Sequence, residues 1–225
     1  MKQLAGEALL VAGKDLRIEM RSRVVLNQVL PFGGLVLLLF AFALDPDRGL
    51  LPRVAPGLFW TAVLLAGLLA ISRSFAIEAD HGARDGLRLS GLDPAAIFLG
   101  KVAGIVAELV ALEVLLAAGV FLLYDIDPTG WTVLVVASLL ATLGLASAGS
   151  VYGALAAGLR VRETLMPLLL LPVVSPVMLG ATRAWEAALE GTSGEAWPWV
   201  QVMAVFAVLY TALGVLSFGS LLEES

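Results

Sequence analysis

Two carboxylates stand where a carboxylate is costly. Glu108 and Glu113 interrupt the apolar stretch 98–123. An ionisable group at membrane depth usually turns toward a bundle interior or a wet cavity. Five residues apart on a helix, the two side chains differ by about 140° in direction and about 7.5 Å in height. They do not share a face and no nucleophile pairs with them, so the sequence offers no catalytic residue here. Two roles stand for each. One is a polar point on a translocation path or at a subunit contact. The other is a structural side chain hydrogen-bonded to a neighbouring helix.

Other reactive groups are scarce. There is no cysteine, which removes disulfides, thiolate metal sites and covalent haem attachment. The one histidine, His81, sits beside Asp80 in a charged segment and reads as a solvated residue rather than a haem ligand. No metal site is expected. Gly100-Lys101 is followed by Val102 and lacks the earlier glycine of a phosphate-binding loop. Neither H-E-x-x-H nor G-x-S-x-G occurs.

The elements that must position these residues are written in the composition. Of 225 residues, 60% are hydrophobic and 15% charged, against about 25% charged in an ordinary soluble domain. A helical membrane span takes about 20 apolar residues. Apolar stretches near 25–44, 54–72, 98–123, 131–157, 165–181 and 199–219 predict six spans, an all-α membrane protein of one domain over residues 1–225. The net charge of −5 argues against a nucleic-acid partner, which requires a basic face. No cleavable signal is expected, because Met1–Arg23 has no continuous apolar core. Instead, Ala5, Ala8, Leu9, Ala12, Leu16 and Met20 fall at helical spacing, and residues 1–23 read as an amphipathic helix lying in the membrane interface with that stripe downward, or packed on the helix bundle, two readings that are compatible.

Lysine and arginine placement sets the orientation. Lys2, Lys14, Arg17, Arg21 and Arg23 precede the first span. Arg73, Arg84, Arg88 and Lys101 are assigned to the loop after the second, and Arg160 and Arg162 to the loop after the fourth. Arg48, Arg53 and Arg183 fall on the opposite side. Both termini are therefore expected in the cytoplasm. The longest non-membrane segment, 73–97, is then cytoplasmic and reads as a short helix between turns. It is a docking candidate for a soluble partner, or a solvated connector. Segment 182–198 reads as an external amphipathic helix and turn, with Trp185, Trp197 and Trp199 at the water–membrane boundary. A haem-cradling patch of those tryptophans is the weaker alternative.

Two further patterns concern packing. Gly144, Gly149 and Gly153 place small residues along the fourth span, and Gly100 and Gly104 repeat the spacing in the third. Such pairs bring backbones close, within one chain or between copies. Pro167, Pro172 and Pro176 interrupt the fifth span, which is either kinked or re-entrant.

The sequence resembles the heme exporter protein B family, CcmB, over nearly its whole length. The resemblance is carried by KDLRIEMRSR (14–23), by APGLFWTAVLLAGLLAISRSFAIEADHGARDGLRLSGLDPAAIFLGK (55–101) and by RETLMPLLLLPVVSPVMLGATRAWEA (162–187). It implies an ABC-2-type exporter permease with six membrane helices, in the bacterial inner membrane, that acts in cytochrome c maturation and is not itself an enzyme. It also implies a partner ATPase, CcmA, which binds and hydrolyses ATP, and pairing as two copies of each chain is part of the same expectation. Further partners implied are the haem-handling CcmC, the small CcmD and the periplasmic haem chaperone CcmE. Haem is handled by the complex, with no cofactor assigned to this chain. Glu78, Gly82, Asp85, Gly86 and Leu87 match the family's E-x-x-x-G-x-x-[ED]-G-L pattern, which implies contact with the ATPase. The three prolines also fit the family's fifth segment, where a re-entrant, pore-closing element is expected. The alternatives are a related permease exporting a drug, lipid or glycan, and a non-transporting scaffold for the haem-handling complex.

Overall fold

A computed structural model describes residues 2–23, 27, 29–44, 50–79, 91–156 and 162–223. Among these residues helix is the one regular secondary structure, with no strand. We label the helices α1 (Lys2–Ser22), α2 (Leu30–Ala43), α3 (Leu50–Ala79), α4 (Pro94–Leu123), α5 (Trp131–Ala156), α6 (Arg162–Leu189) and α7 (Trp197–Glu223). A short 3-10 turn, Ser193–Ala196, joins the last two. Five helices, α3 to α7, are long and apolar enough to cross a membrane, and α2 is a shorter apolar helix. The outer surface is studded with exposed Phe42, Leu122 and Leu216. That arrangement suits lipid, where side chains facing outward need not be polar.

Helix α5 is the axis, packed against α3, α4, α6 and α7. Its sequence explains why. Ala141, Gly144, Ala146, Ala148, Gly149, Gly153 and Ala154 are buried, and small side chains let backbones approach. A methyl at Gly149 would overlap Ile71 of α3, and one at Gly153 would overlap the Phe75 ring. Gly144 faces Phe206 of α7 and Val177 of α6. These glycines therefore serve packing within the chain. Hydroxyls supply the polar ties. Trp185 Nε1 of α6 donates to Ser138 Oγ at 3.1 Å. Thr142 donates to Glu113 of α4. Ser147 and Thr211 of α7 share a hydrogen bond of 2.9 Å.

Several expectations change. Helix α6 runs unbroken through Pro167, Pro172 and Pro176 for 28 residues, about 42 Å of helix. A segment of that length passes the hydrocarbon layer, about 30 Å thick, so the re-entrant reading is set aside. Proline at 176 withholds the donor that Pro172 O would receive. Ser175 Oγ supplies one instead, at 2.8 Å. The external helix expected at 182–198 is the continuation of α6 to Leu189, followed by the turn. Trp185 is not a boundary anchor: it is 3% exposed and stacks on Phe59 with centroids 4.0 Å apart. Segment 73–97 does not form a separate helix at its start, since α3 continues to Ala79.

The glycine contacts give the first prediction. Gly149→Leu should destabilise the folded chain by about 1–3 kcal/mol through overpacking against Ile71. Gly34→Ala, where nothing lies within 4 Å of the added methyl, should leave stability unchanged or slightly raised. Denaturation of both variants in mixed micelles provides the comparison.

Candidate functional site

Helices α3 and α4 end and begin at the same end of the bundle, on either side of residues 80–90. Gly82, Asp85, Gly86 and Leu87 lie outside the described residues, and Glu78 falls in the last turn of α3, where only its backbone is described. The stems that hold this segment are well defined. Asp93 caps α4, its Oδ1 accepting from Ala95 N–H at 2.9 Å, with Pro94 at the first helical position. That pairing satisfies one of the free donors at a helix start and uses a residue with no donor to lose.

Helix α1 lies across these stems. It reaches α4 closely because Gly100 and Gly104 face it. A methyl at Gly100 would come within 2.6 Å of Ala8 O and of Val11 Cβ. The face of α1 turned inward is both small and acidic. Glu7 Oε2 accepts from the backbone N–H of Asp93 at 3.1 Å. Asp15 Oδ2 lies 3.9 Å from Lys101 Nζ, and Glu19 Oε2 lies 2.9 Å from a guanidinium nitrogen of Arg73. Three carboxylates along one face of this helix thus engage the N-terminus of α4, the body of α4 and the end of α3.

Lys101 is the centre of this arrangement. It is 1% exposed, and a buried ammonium is tolerated only with compensation. Besides Asp15, its Nζ donates to Ser74 Oγ at 3.3 Å and lies 4.6 Å from the centroid of the Phe75 ring. Phe75 in turn packs on Gly153 of α5. A small cavity of about 40 Å³ lies beneath α1, lined among others by Asp15, Glu19, Arg73, Ser74 and Glu108. Water of one-molecule scale fits such a polar space.

The structure thus separates the two intramembrane acids. Glu108 borders the α1 cavity among charged groups. Glu113 is 5% exposed, accepts from Thr142, and borders a different cavity between α4, α5 and α6. Gly144, Gly149 and Gly153 line α5 contacts, and the three prolines lie along α6, away from this cluster.

One sequence assignment needs correcting, and the seat of α1 can be described. Lys101 is not a loop charge but the eighth residue of α4, held inside by its partners. The apolar stripe of α1 is divided: Ala12 is buried against α4, whereas Leu9 and Met20 are about three-quarters exposed. The inward face follows Glu7, Val11, Asp15 and Glu19 because ion pairing and glycine contacts outweigh the apolar count. The readable signal was the recurrence of acids at 7, 15 and 19 along one helical face. An acidic stripe is ill suited to an anionic lipid surface and asks for a basic protein partner.

A bundle of long apolar helices, closed by small residues and by hydroxyl ties between helices, defines a multi-pass membrane protein. The particular family follows from comparison. The chain belongs to the CcmB family, whose model, described as CcmB protein, matches residues 7–225. It is 35% identical over 178 residues to heme exporter protein B of Haemophilus influenzae, covering 78% of this chain and 79% of the relative. It is 31% identical over 216 residues to heme exporter protein B of Paracoccus denitrificans, covering 95% of each. The protein of that name from Escherichia coli K12 is 35% identical over 176 residues, covering 77% of this chain and 79% of the relative.

The clamp yields a second prediction. Lys101→Met should leave Asp15 with only the more exposed Lys14, 3.0 Å away on its own helix, and amides of α1 should exchange with deuterium about tenfold faster, a change of about 1.4 kcal/mol in local opening. A double-mutant cycle on Glu19 and Arg73 should give a smaller coupling, about 0.5–1 kcal/mol, because both groups keep some contact with solvent.

Proposed function

We propose that this chain is the membrane permease subunit of an ABC-type haem exporter complex in the bacterial inner membrane. The observation that carries this reading is the family match from residue 7 to residue 225, together with relatives named heme exporter protein B over nearly their whole length. A fold of long apolar helices accords with a membrane subunit whose energy comes from a partner. That partner is the ATPase, CcmA, and its docking segment is 73–97, with Glu78, Gly82, Asp85, Gly86 and Leu87 forming the contact.

The basic residues at the loop end support cytoplasmic termini under the positive-inside rule. In this orientation α1 lies at the cytoplasmic interface and the α4–α5 turn lies on the periplasmic side. Two copies pair through their membrane helices and two ATPases hold the two loops. Movement of a loop shifts the stems α3 and α4, and α1 moves with them because it is tied to both through Glu19 and Asp15. The displacement passes to α5 through the close contacts of Phe75 and Ile71 with Gly153 and Gly149. At the outer face this changes the contact with the haem-handling CcmC and CcmD and the chaperone CcmE, and haem leaves the complex or is released bound to the chaperone.

Charge reversal tests the coupling. Glu78→Lys or Asp85→Lys should reduce ATPase recovered with the full-length chain from native membranes at least about tenfold, the effect of placing like charge at a specific contact. Recovery at the unaltered level would refute the assigned contact. A haem absorbance spectrum of the same preparation tests the substrate: haem-bearing maturation proteins support the reading, and an ATPase recovered without them would replace it with export of another substrate.

A further inference from the structure

The cavity beside Glu113 is not used in the coupling described above. It has a volume of about 320 Å³, within the range of small-molecule pockets. Its walls are aromatic: Phe59, Phe121, Trp131 and Trp185. Phe59 and Trp185 stack at 4.0 Å, Phe121 lies 6.2 Å from Trp185 at 19° between planes, and Trp131 meets Phe121 edge-on at 5.8 Å. The rings are fixed in part because the Trp185 N–H is committed to Ser138. Glu113 is the one ionisable group among the residues lining the cavity. Its position on α4, about 28 Å from the Pro94 end, places it deep in the bundle. Exposed Val114, Val135 and Leu139 border the opening between α4 and α5, so the cavity faces the lipid phase rather than water.

We infer that this cavity is a binding site for a lipophilic organic cation that enters from the membrane. The argument is charge complementarity in a dry setting. A carboxyl removed from water is stabilised by an ammonium partner far more than at a surface, and aromatic walls add attraction for a cation. The apolar remainder of the cavity takes the ligand's hydrocarbon part. A haem does not match this chemistry. It brings two carboxylates against an acidic lining, and no histidine, methionine, lysine or arginine is among the lining residues to receive its iron or its propionates. The site is therefore distinct from haem handling, and a bound cation there wedges α4 against α5 at the height of the Thr142–Glu113 tie.

The test uses the full chain in lipid nanodiscs and equilibrium dialysis, with empty nanodiscs subtracted. The probe is 4-phenylbutylammonium, compared with neutral 4-phenylbutanol of similar shape. The expected result is saturable binding of the ammonium, about tenfold tighter than the alcohol, and about tenfold weaker ammonium binding in Glu113→Gln. Equal binding of ammonium and alcohol would overturn the proposal and leave an apolar space that lipid chains fill. So would full ammonium binding by Glu113→Gln. The comparison of probes on the unaltered chain decides the matter even if that variant fails to fold. Trp131→Leu should weaken the ammonium more than the alcohol, and an equal effect on both would also count against a cation site.

Discussion

The fold depends on one helix whose inner faces carry mostly small side chains. Four helices touch α5, and they do so because glycine, alanine and serine leave its backbone bare. In lipid there is little hydrophobic drive to bring apolar helices together, so close packing and interhelical hydrogen bonds must do it. Helix α5 combines both. Its glycines receive Ile71 and Phe75 from one side and Phe206 from another. Its hydroxyls at 138, 142 and 147 each tie to a different neighbour. The consequence is an axis that transmits displacement, since a shift in α3 has no slack to absorb it at Gly149 and Gly153.

The second organising feature is electrostatic and sits at one end. Helix α1 holds α3 and α4 together by contacts of different kinds: a backbone donor, a buried ammonium and a guanidinium. The glycines of α4 bring the helices close enough for these to form. Neither feature suffices alone. Without Gly100 the carboxylates would stand too far from Lys101, and without the charges nothing would fix the register of α1 along α4. The two features meet at Phe75, which faces Lys101 on one side and Gly153 on the other.

Much of this was legible in the sequence. Apolar runs of span length located each helix, because burial in lipid demands a long uninterrupted signal, but α3 and α6 run on beyond the expected ends at 72 and 181 to Ala79 and Leu189, and α2 is shorter than a full span. The separate faces of Glu108 and Glu113 followed from helical geometry alone. What escaped was set by tertiary partners. Lys101 resembles a flanking charge until Asp15 and Ser74 are seen beside it. Trp185 resembles an interface residue until α6 is seen to continue inward with Phe59 against its ring. The three prolines suggested a break because local rules count the lost donors; Ser175 repairs one of them. Apolar counting on α1 gave no weight to the acids, which find their partners on α3 and α4.

The clamp also orders events in time. Glu19 and Arg73 are 54 residues apart in the chain, and Glu7 and the Asp93 amide are 86 apart. Helix α1 leaves the ribosome long before the groups that receive its carboxylates. Arg73 of α3 meets Glu19 first, and only the arrival of Asp93, Gly100 and Lys101 with α4 gives Glu7 and Asp15 their partners there and completes the seat of α1. Docking of α1 therefore marks the point in biogenesis at which the first half of the bundle is in place, which makes the helix a record of assembly as well as a tie across it.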